Sequence, residues 1–342
     1  MTKRIGFACK FTHPNKTLTP KQRKEFEEKY NTKTTTRAWM SRQSQSVAES
    51  KLWEIIRHNL WATKNLIKYA GDLPSELRFV RISSDLLPLY TEPTWSYFYK
   101  KPDVVKWLEH SFADLGNTAR NLHCRVSMHP GQFCVLASDN PDVVTNSIAE
   151  FEYHCDMIRW MGYGQQFQDF KCNVHIGGRL GPDGIRAVYP KLSTEARNTI
   201  TIENDEFGWG LDSCLELSDI IPIVLDIHHH YIRTNGEYIQ STDDRVSKIV
   251  DSWKGIRPVM HYSVSREEYI TDNTALPNMG DLLLEGHKPQ SLRAHSDMLN
   301  NSACNDWALT FWDQFDIMVE AKCKNLASKQ LYDHYLINNK VN

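Results

Sequence analysis

Short apolar runs recur along the chain, and most are followed by a longer segment of helical character. The runs lie at 4–9, 77–82, 124–128, 170–174, 199–202, 220–225, 257–260 and 315–319. Val47, Leu52, Ile55, Ile56, Leu60, Leu66 and Ile67 recur mostly at spacings of three and four, which predicts a helix over 46–70. Further helices are predicted at about 20–30, 103–121, 141–161, 183–197, 211–219, 243–253, 305–313 and 324–337. Eight buried strands alternating with helices are the arithmetic of a (β/α)₈ TIM barrel. We therefore expect one α/β domain over 1–342, with an extended basic loop at 10–45 and a closing helix and tail at 323–342. A doubly wound open sheet is the alternative. No glycine-rich phosphate fingerprint follows the first strand, so no nucleotide cofactor is expected.

Charge refines this picture. The net charge is −2, yet residues 1–50 carry eleven Lys and Arg against four Glu, leaving an acidic body beneath a basic N-terminal region. That asymmetry suits an anionic polymer held over a metal centre, or an ordinary charged helical insertion. Eight cysteines without a CxxC pair read as reduced core thiols. No apolar run approaches membrane-spanning length, and no signal peptide heads the chain. The expectation is an intracellular protein, cytoplasmic or nucleoid-associated, with no membrane partner.

The chemistry gathers where strands end. His129, His175, Glu203, Asp226, His261 and Glu320 close six successive predicted strands, and His229 and His295 lie in the adjoining loops. In a barrel these ends converge on one face. Carboxylates packed there without cations repel one another and lose their hydration, and neutral imidazole and carboxylate are the ordinary ligands of divalent ions. Two or three divalent metal ions are expected. Such a centre suits phosphoryl displacement by activated water; it could also polarise a sugar carbonyl for isomerisation.

His129-Pro130-Gly131-Gln132-Phe133, Val174-His175-Ile176-Gly177-Gly178, Ile202-Glu203-Asn204-Asp205, Asp226 to His230, Arg293-Ala294-His295-Ser296-Asp297 and Met318-Val319-Glu320 occur in this order. Together with Arg81-Ile82-Ser83-Ser84-Asp85 and His261-Tyr262-Ser263, they resemble the UV damage endonuclease family, metal-dependent TIM-barrel nucleases related to endonuclease IV. The resemblance implies incision of damaged double-stranded DNA immediately 5′ of cyclobutane dimers and 6-4 photoproducts, leaving 3′-hydroxyl and 5′-phosphate ends. Manganese would be the metal, with zinc or magnesium as alternatives. It implies that His129, His175, Glu203, Asp226, His229, His261, His295 and Glu320 are metal ligands, with Glu203, His229 and Glu320 catalytic. Gln132 and Phe133 would probe the gap left by damaged bases, with Phe7, Arg81 and Lys10 also facing DNA. His228 and His230 would support the ligands or face DNA.

The chain departs from the family at four places. Phe7 and Phe133 stand where members usually have tyrosine, Val259 where they have a lysine, and Glu92 near where they have a further histidine. The basic residues Lys10, Lys16, Lys21, Arg23, Lys24, Lys33, Arg37 and Arg42, and the segment Trp95 to Lys101, would either grip DNA or pack locally. The rivals are a sugar isomerase or epimerase on the same barrel and a damage-binding protein that has lost catalysis. A monomer is expected.

Overall fold

The computed structural model describes residues 2–15 and 17–339. Eight parallel strands, β1 (Ile5–Ala8), β2 (Phe79–Ile82), β3 (Arg125–Met128), β4 (Cys172–His175), β5 (Ile200–Glu203), β6 (Ile223–Asp226), β7 (Val259–Tyr262) and β8 (Asp316–Val319), close into a barrel in sequence order. β8 returns to β1 with Ile317 opposite Ile5 and Val319 opposite Phe7. Helices cover the outside, so the strands are buried on both faces, which explains why they read as continuous apolar runs rather than alternating ones. The predicted barrel is the observed one.

Each strand is four residues long, and helices set its surroundings. Ser44 caps the helix Gln45–Gly71 by accepting from the Val47 amide, and Leu52, Ile56, Leu60, Leu66 and Ile67 bury its inner face. Gly116 lets the helix Pro102–Asn121 meet the end of Pro141–Trp160: a Cβ there would stand 1.9 Å from the Met161 carbonyl oxygen. The helix predicted at 183–197 is two, Gly181–Val188 and Thr194–Thr199, parted by a 3₁₀ turn at Tyr189–Lys191. Pro190 lacks the amide a continuous helix requires, and Ser193 caps the second segment.

Below the barrel, Asp316 is fully buried among three arginines. Arg125 Nη1 donates to its Oδ2 at 2.8 Å and Arg257 Nε to its Oδ1 at 2.7 Å, while the Arg4 guanidinium lies 3.7 Å away. The Arg4 amide also donates to Oδ1, so this carboxylate ties β1 to β8.

The basic loop carries structure of its own. A capping box at Thr19 starts the helix Pro20–Glu27, and a short helix follows at Arg37–Met40. Asn59 from the long helix pins the loop by accepting from the Lys33 amide and donating to the Lys33, Asp85 and Leu86 carbonyls. Lys33 pairs with Glu28 and Arg37 with Glu92, so part of the basic charge is spent within the protein. Lys16 and the last three residues of the predicted tail lie outside the described residues. Trp95, Phe98 and Tyr99 are buried, while Lys101 and Tyr97 bond Glu49. Most of that segment is a packing cluster, with Lys100 left exposed.

Candidate metal centre

The C-terminal ends of β3 to β8 deliver the predicted ligands to one mouth. His129 follows β3, His175 ends β4, Glu203 ends β5, Asp226 ends β6, His261 lies in β7 and Glu320 follows β8. Their ligand atoms form three overlapping groups: His129, His175 and Glu203; Glu203, Asp226 and His229; and Asp226, His261 and Glu320. Within each group the atoms lie within 4.8 Å of one another. Glu203 belongs to two groups and Asp226 to two, which chains them into one centre.

The run Asp226 to His230 is a strand end turning directly into a helix, Ile227–Arg233, rather than a solvated turn. Asp226 caps that helix: its Oδ1 accepts from the His229 amide at 2.7 Å, while Oδ2 remains buried without a hydrogen-bond partner. The capping geometry fixes the three-residue spacing that brings the His229 ring beside the carboxylate. His228 and His230 are buried too, and His230 Nε2 meets Glu237 at 2.9 Å. Neither faces DNA. Burial and the neighbouring His295 and His229 hold His228 well below the ordinary imidazole range, so it stays neutral.

Backbone and amide partners orient the ligands. His129 Nδ1 lies 2.7 Å from the Pro130 carbonyl, which directs Nε2 towards Glu203 at 3.4 Å. His229 Nδ1 lies 3.0 Å from the Asn204 carbonyl, and His295 Nδ1 lies 3.1 Å from that of Glu320. Contacts of this kind fix the tautomer of a ligating imidazole. Asn173 donates to Glu203 Oε2 and is itself held by Thr201, whose hydroxyl donates at 2.8 Å. Asn204 brackets Asp226 through the residue's amide and carbonyl, both at 2.9 Å. The sequence reading gave Asn173 and Asn204 no role, because an asparagine near a strand end is unremarkable without knowing which face it occupies.

Electrostatics tests whether cations fit. Burial opposes ionisation of Glu203, but His261 and His175 outweigh it and hold the carboxyl well below its usual range. Burial likewise opposes charge on Glu320, where Arg81 and His261 win. Asp226 is pushed up by burial, against the pull of His229, with Glu203 and Glu320 adding to the rise. His229 is pushed up to about 10: burial would lower it, and Asp226, Glu203 and Glu206 together prevail. The carboxylates of this cluster thus draw positive charge towards themselves. Glu203 Oε1, Asp226 Oδ2, His175 Nδ1 and His261 Nδ1 are buried without a hydrogen-bond partner, and buried polar atoms rarely stay so. The donor set is oxygen and imidazole nitrogen, clustered and unsatisfied. It fits divalent metal ions.

Among the described residues, His295 joins none of the three groups; its ring stands 6.4 Å from that of His229 and 5.8 Å from that of His228. Val259 is buried in β7 two residues before His261, hence on the same side of the strand, and offers no ligand atom. Glu92 accepts from the Thr94 and Trp95 amides and pairs with Arg37, outside all three groups.

The DNA-facing expectations divide. Phe133 is 84% exposed at the lip of the mouth. Gln132 lines a cleft of about 200 Å³ with His129, His175, Glu206 and Arg293. Phe133 and Lys10 line a second cleft of about 730 Å³ that also reaches His129. Phe7 is corrected: it is 1% exposed and packs edge-on to Tyr69, so no base can reach it. Arg81 is largely buried, and its guanidinium is paired with Glu320. Glu206 and Arg293 line the first cleft although no role was expected of either. Their signal was proximity to Glu203 and His295 in sequence.

Comparisons with known proteins agree with this geometry. A family model described as UV-endonuclease UvdE matches residues 4–342. The UV DNA damage endonuclease of Bacillus cereus (strain B4264) is 27% identical over 313 residues, 88% of each chain. The UV-damage endonuclease of Neurospora crassa is 32% identical over 205 residues, 55% of this chain and 30% of that one. The crystal structure described as SacUVDE superposes with a TM-score of 0.74 at 26% identity, covering 98% of this chain and 99% of that one. Endonuclease IV from Thermus thermophilus shares the fold, with a TM-score of 0.50 at 12% identity over 80% of this chain and 94% of that one. With a centre of this composition at the barrel mouth and a family match over nearly its whole length, the chain belongs to the UV-endonuclease UvdE family.

Proposed function

We propose that the protein is a metal-dependent repair endonuclease that hydrolyses the backbone of UV-damaged duplex DNA immediately 5′ of cyclobutane dimers and 6-4 photoproducts, leaving 3′-hydroxyl and 5′-phosphate ends. The observation that carries this reading is the chain of three His/carboxylate groups beside a phenyl ring standing free in solvent. Each group would hold one divalent ion, with His295 next to the ion at His229, and manganese is the first choice. Bound there, such ions supply the positive charge and Lewis acidity that in-line displacement at phosphorus requires.

The chain's own residues prepare that chemistry. Glu203 and Asp226 serve two positions each, so they set the spacing of the centre. Asn173 and Asn204 hold those two carboxylates, and Arg81 fixes Glu320 while offsetting part of its charge. The His229 ring is set by the Asn204 carbonyl at Nδ1, on the side of Glu203 and Asp226, and faces Glu206 with Nε2. Glu203, His229 and Glu320 thus form the catalytic core of the reading. Phe133 is placed to stack where damaged bases leave the helix, and Gln132 to occupy the vacated pairing edges. Lys10 in the adjoining cleft is placed to meet a phosphate.

A labelled duplex with one photodimer, incubated with the protein and manganese, should be cut directly 5′ of the lesion. Chelator should abolish the cut, and the undamaged duplex should survive. Lesion-dependent binding without a nick at any manganese concentration would instead identify a damage-binding protein. Turnover of a small sugar would identify an isomerase.

A further inference from the structure

Arg293 is a charged side chain at the centre for which the reading above has no use. We infer that Arg293 binds the DNA phosphate next to the incision site, and that Glu206 is its positioning residue. This rests on the reading of the protein as a nuclease acting on duplex DNA.

Three observations carry it. Arg293 lines the cleft that His129, His175 and Gln132 also line, so it shares one cavity with two candidate ligands and the lesion-probing loop. Its side chain is 53% exposed, and the one hydrogen bond made by its guanidinium among the described residues goes from Nη1 to Glu206 Oε1 at 2.9 Å. A guanidinium has five donors, which leaves most of them for a ligand in the cleft. The anchor itself is nearly buried and faces the centre on its other side: Glu206 Oε2 lies 3.8 Å from His229 Nε2. One carboxylate therefore sets the distance between Arg293 and a residue of the centre.

The surroundings suit a bidentate oxyanion, which on duplex DNA is the phosphodiester. The guanidinium lies 5.5 Å from the Phe207 ring, close enough for a cation–π contact that supports the Glu206 bond. Phe207 is itself held by its loop: the Asp205 amide donates to the Trp209 carbonyl, and Arg233 donates to the Phe207 carbonyl at 3.0 Å. A fixed, planar fork matches the paired oxygens of a phosphodiester. With Gln132 across the same cleft, a phosphate on Arg293 is adjacent to the base gap that Gln132 enters.

The test uses the manganese-loaded protein on the photodimer duplex, with kcat/KM followed over roughly 50–200 mM salt. Arg293→Ala should lower kcat/KM about tenfold or more at low salt, in the range of one charge-assisted hydrogen bond. It should also make the plot of log kcat/KM against log salt shallower by about 0.9, the value of one phosphate contact. Preference for damaged over intact DNA should not change. Arg293→Lys should keep the wild-type slope and lose part of the rate, because the charge remains and the fork does not. Glu206→Gln should cost rate in the wild-type background and nothing further beside Arg293→Ala. Metal content, measured by mass spectrometry, should equal that of wild type in both Arg293 variants. An unchanged salt slope in a folded Arg293→Ala protein would overturn the inference, as would loss of bound metal. If wild type itself makes no metal-dependent incision, the parent reading has failed instead.

Discussion

Phe133→Ala separates recognition of damage from everything else the protein does. The ring is 84% exposed, so its removal takes almost no apolar area out of the core. Substitutions at such positions change folding stability by less than about 0.5 kcal/mol. Against a base, the same ring is worth about 1–3 kcal/mol of stacking. At about 1.4 kcal/mol per factor of ten, the variant should lose roughly 5- to 150-fold of its preference for damaged DNA. Intact duplex has no gap for the ring to enter, so its weaker binding should not move. The assay is competition binding of a photodimer duplex against its undamaged counterpart, with thermal unfolding run in parallel. A Phe133→Ala protein that melts like wild type and discriminates equally well would refute a stacking role. An equal loss on both duplexes would point to general backbone contact instead.

Glu203→Gln removes a charge that two ligand groups share. It should weaken metal binding by more than the 10- to 100-fold typical of a change outside the ligand shell, measured by calorimetric titration of manganese. Metal loading equal to wild type would refute the assignment. Asp316→Asn should destabilise the fold by about 3–5 kcal/mol, because Arg125 and Arg257 would be left buried without their counter-charge; urea unfolding that matched wild type would count against that network. Lys171 offers a pH test. Burial pushes its ammonium from the ordinary 10.5 down to about 7, with Arg125 and Lys254 adding to the effect. Below pH 7 the lysine is charged in both states and its cost is present in full. Between about 7 and 10.5 only the unfolded chain keeps the proton, so stability from this group rises with pH. Lys171→Met should flatten that rise in urea unfolding measured from pH 7 to 10, and an unaltered slope would refute it.

Much of this architecture is legible in the chain because a parallel barrel writes itself in short apolar runs. The runs at 220–225 and 315–319 mark β6 and β8 without ambiguity, and the polar residue after each is a ligand candidate by position alone. Segment 227–233 is less readable. Three histidines hold no helical pattern, and only the cap at Asp226 shows that a helix begins there. Phe7 illustrates a different limit. An aromatic residue in a first strand looks the same whether it points into the barrel or out of its mouth, and Tyr69, the residue that covers it, is 62 positions away. Arg81 is ambiguous for a related reason: a positive charge near a nucleic-acid site suggests phosphate, while its partner in the fold, Glu320, comes from the last strand end. Pairing across the barrel is invisible to local pattern.

The ligand groups also bear on how the protein is made. Asp226, His261 and Glu320 share one group, and Glu203 with Asp226 links it to the other two. The last of these side chains leaves the ribosome nearly two hundred residues after His129, the first. The barrel, too, has no closing seam until β8 can lie beside β1. A nascent chain past His229 therefore carries the residues of two groups, while the third waits for Glu320 and all three wait for the barrel to close. On the metal-dependent reading proposed above, full loading of the centre belongs to the finished protein.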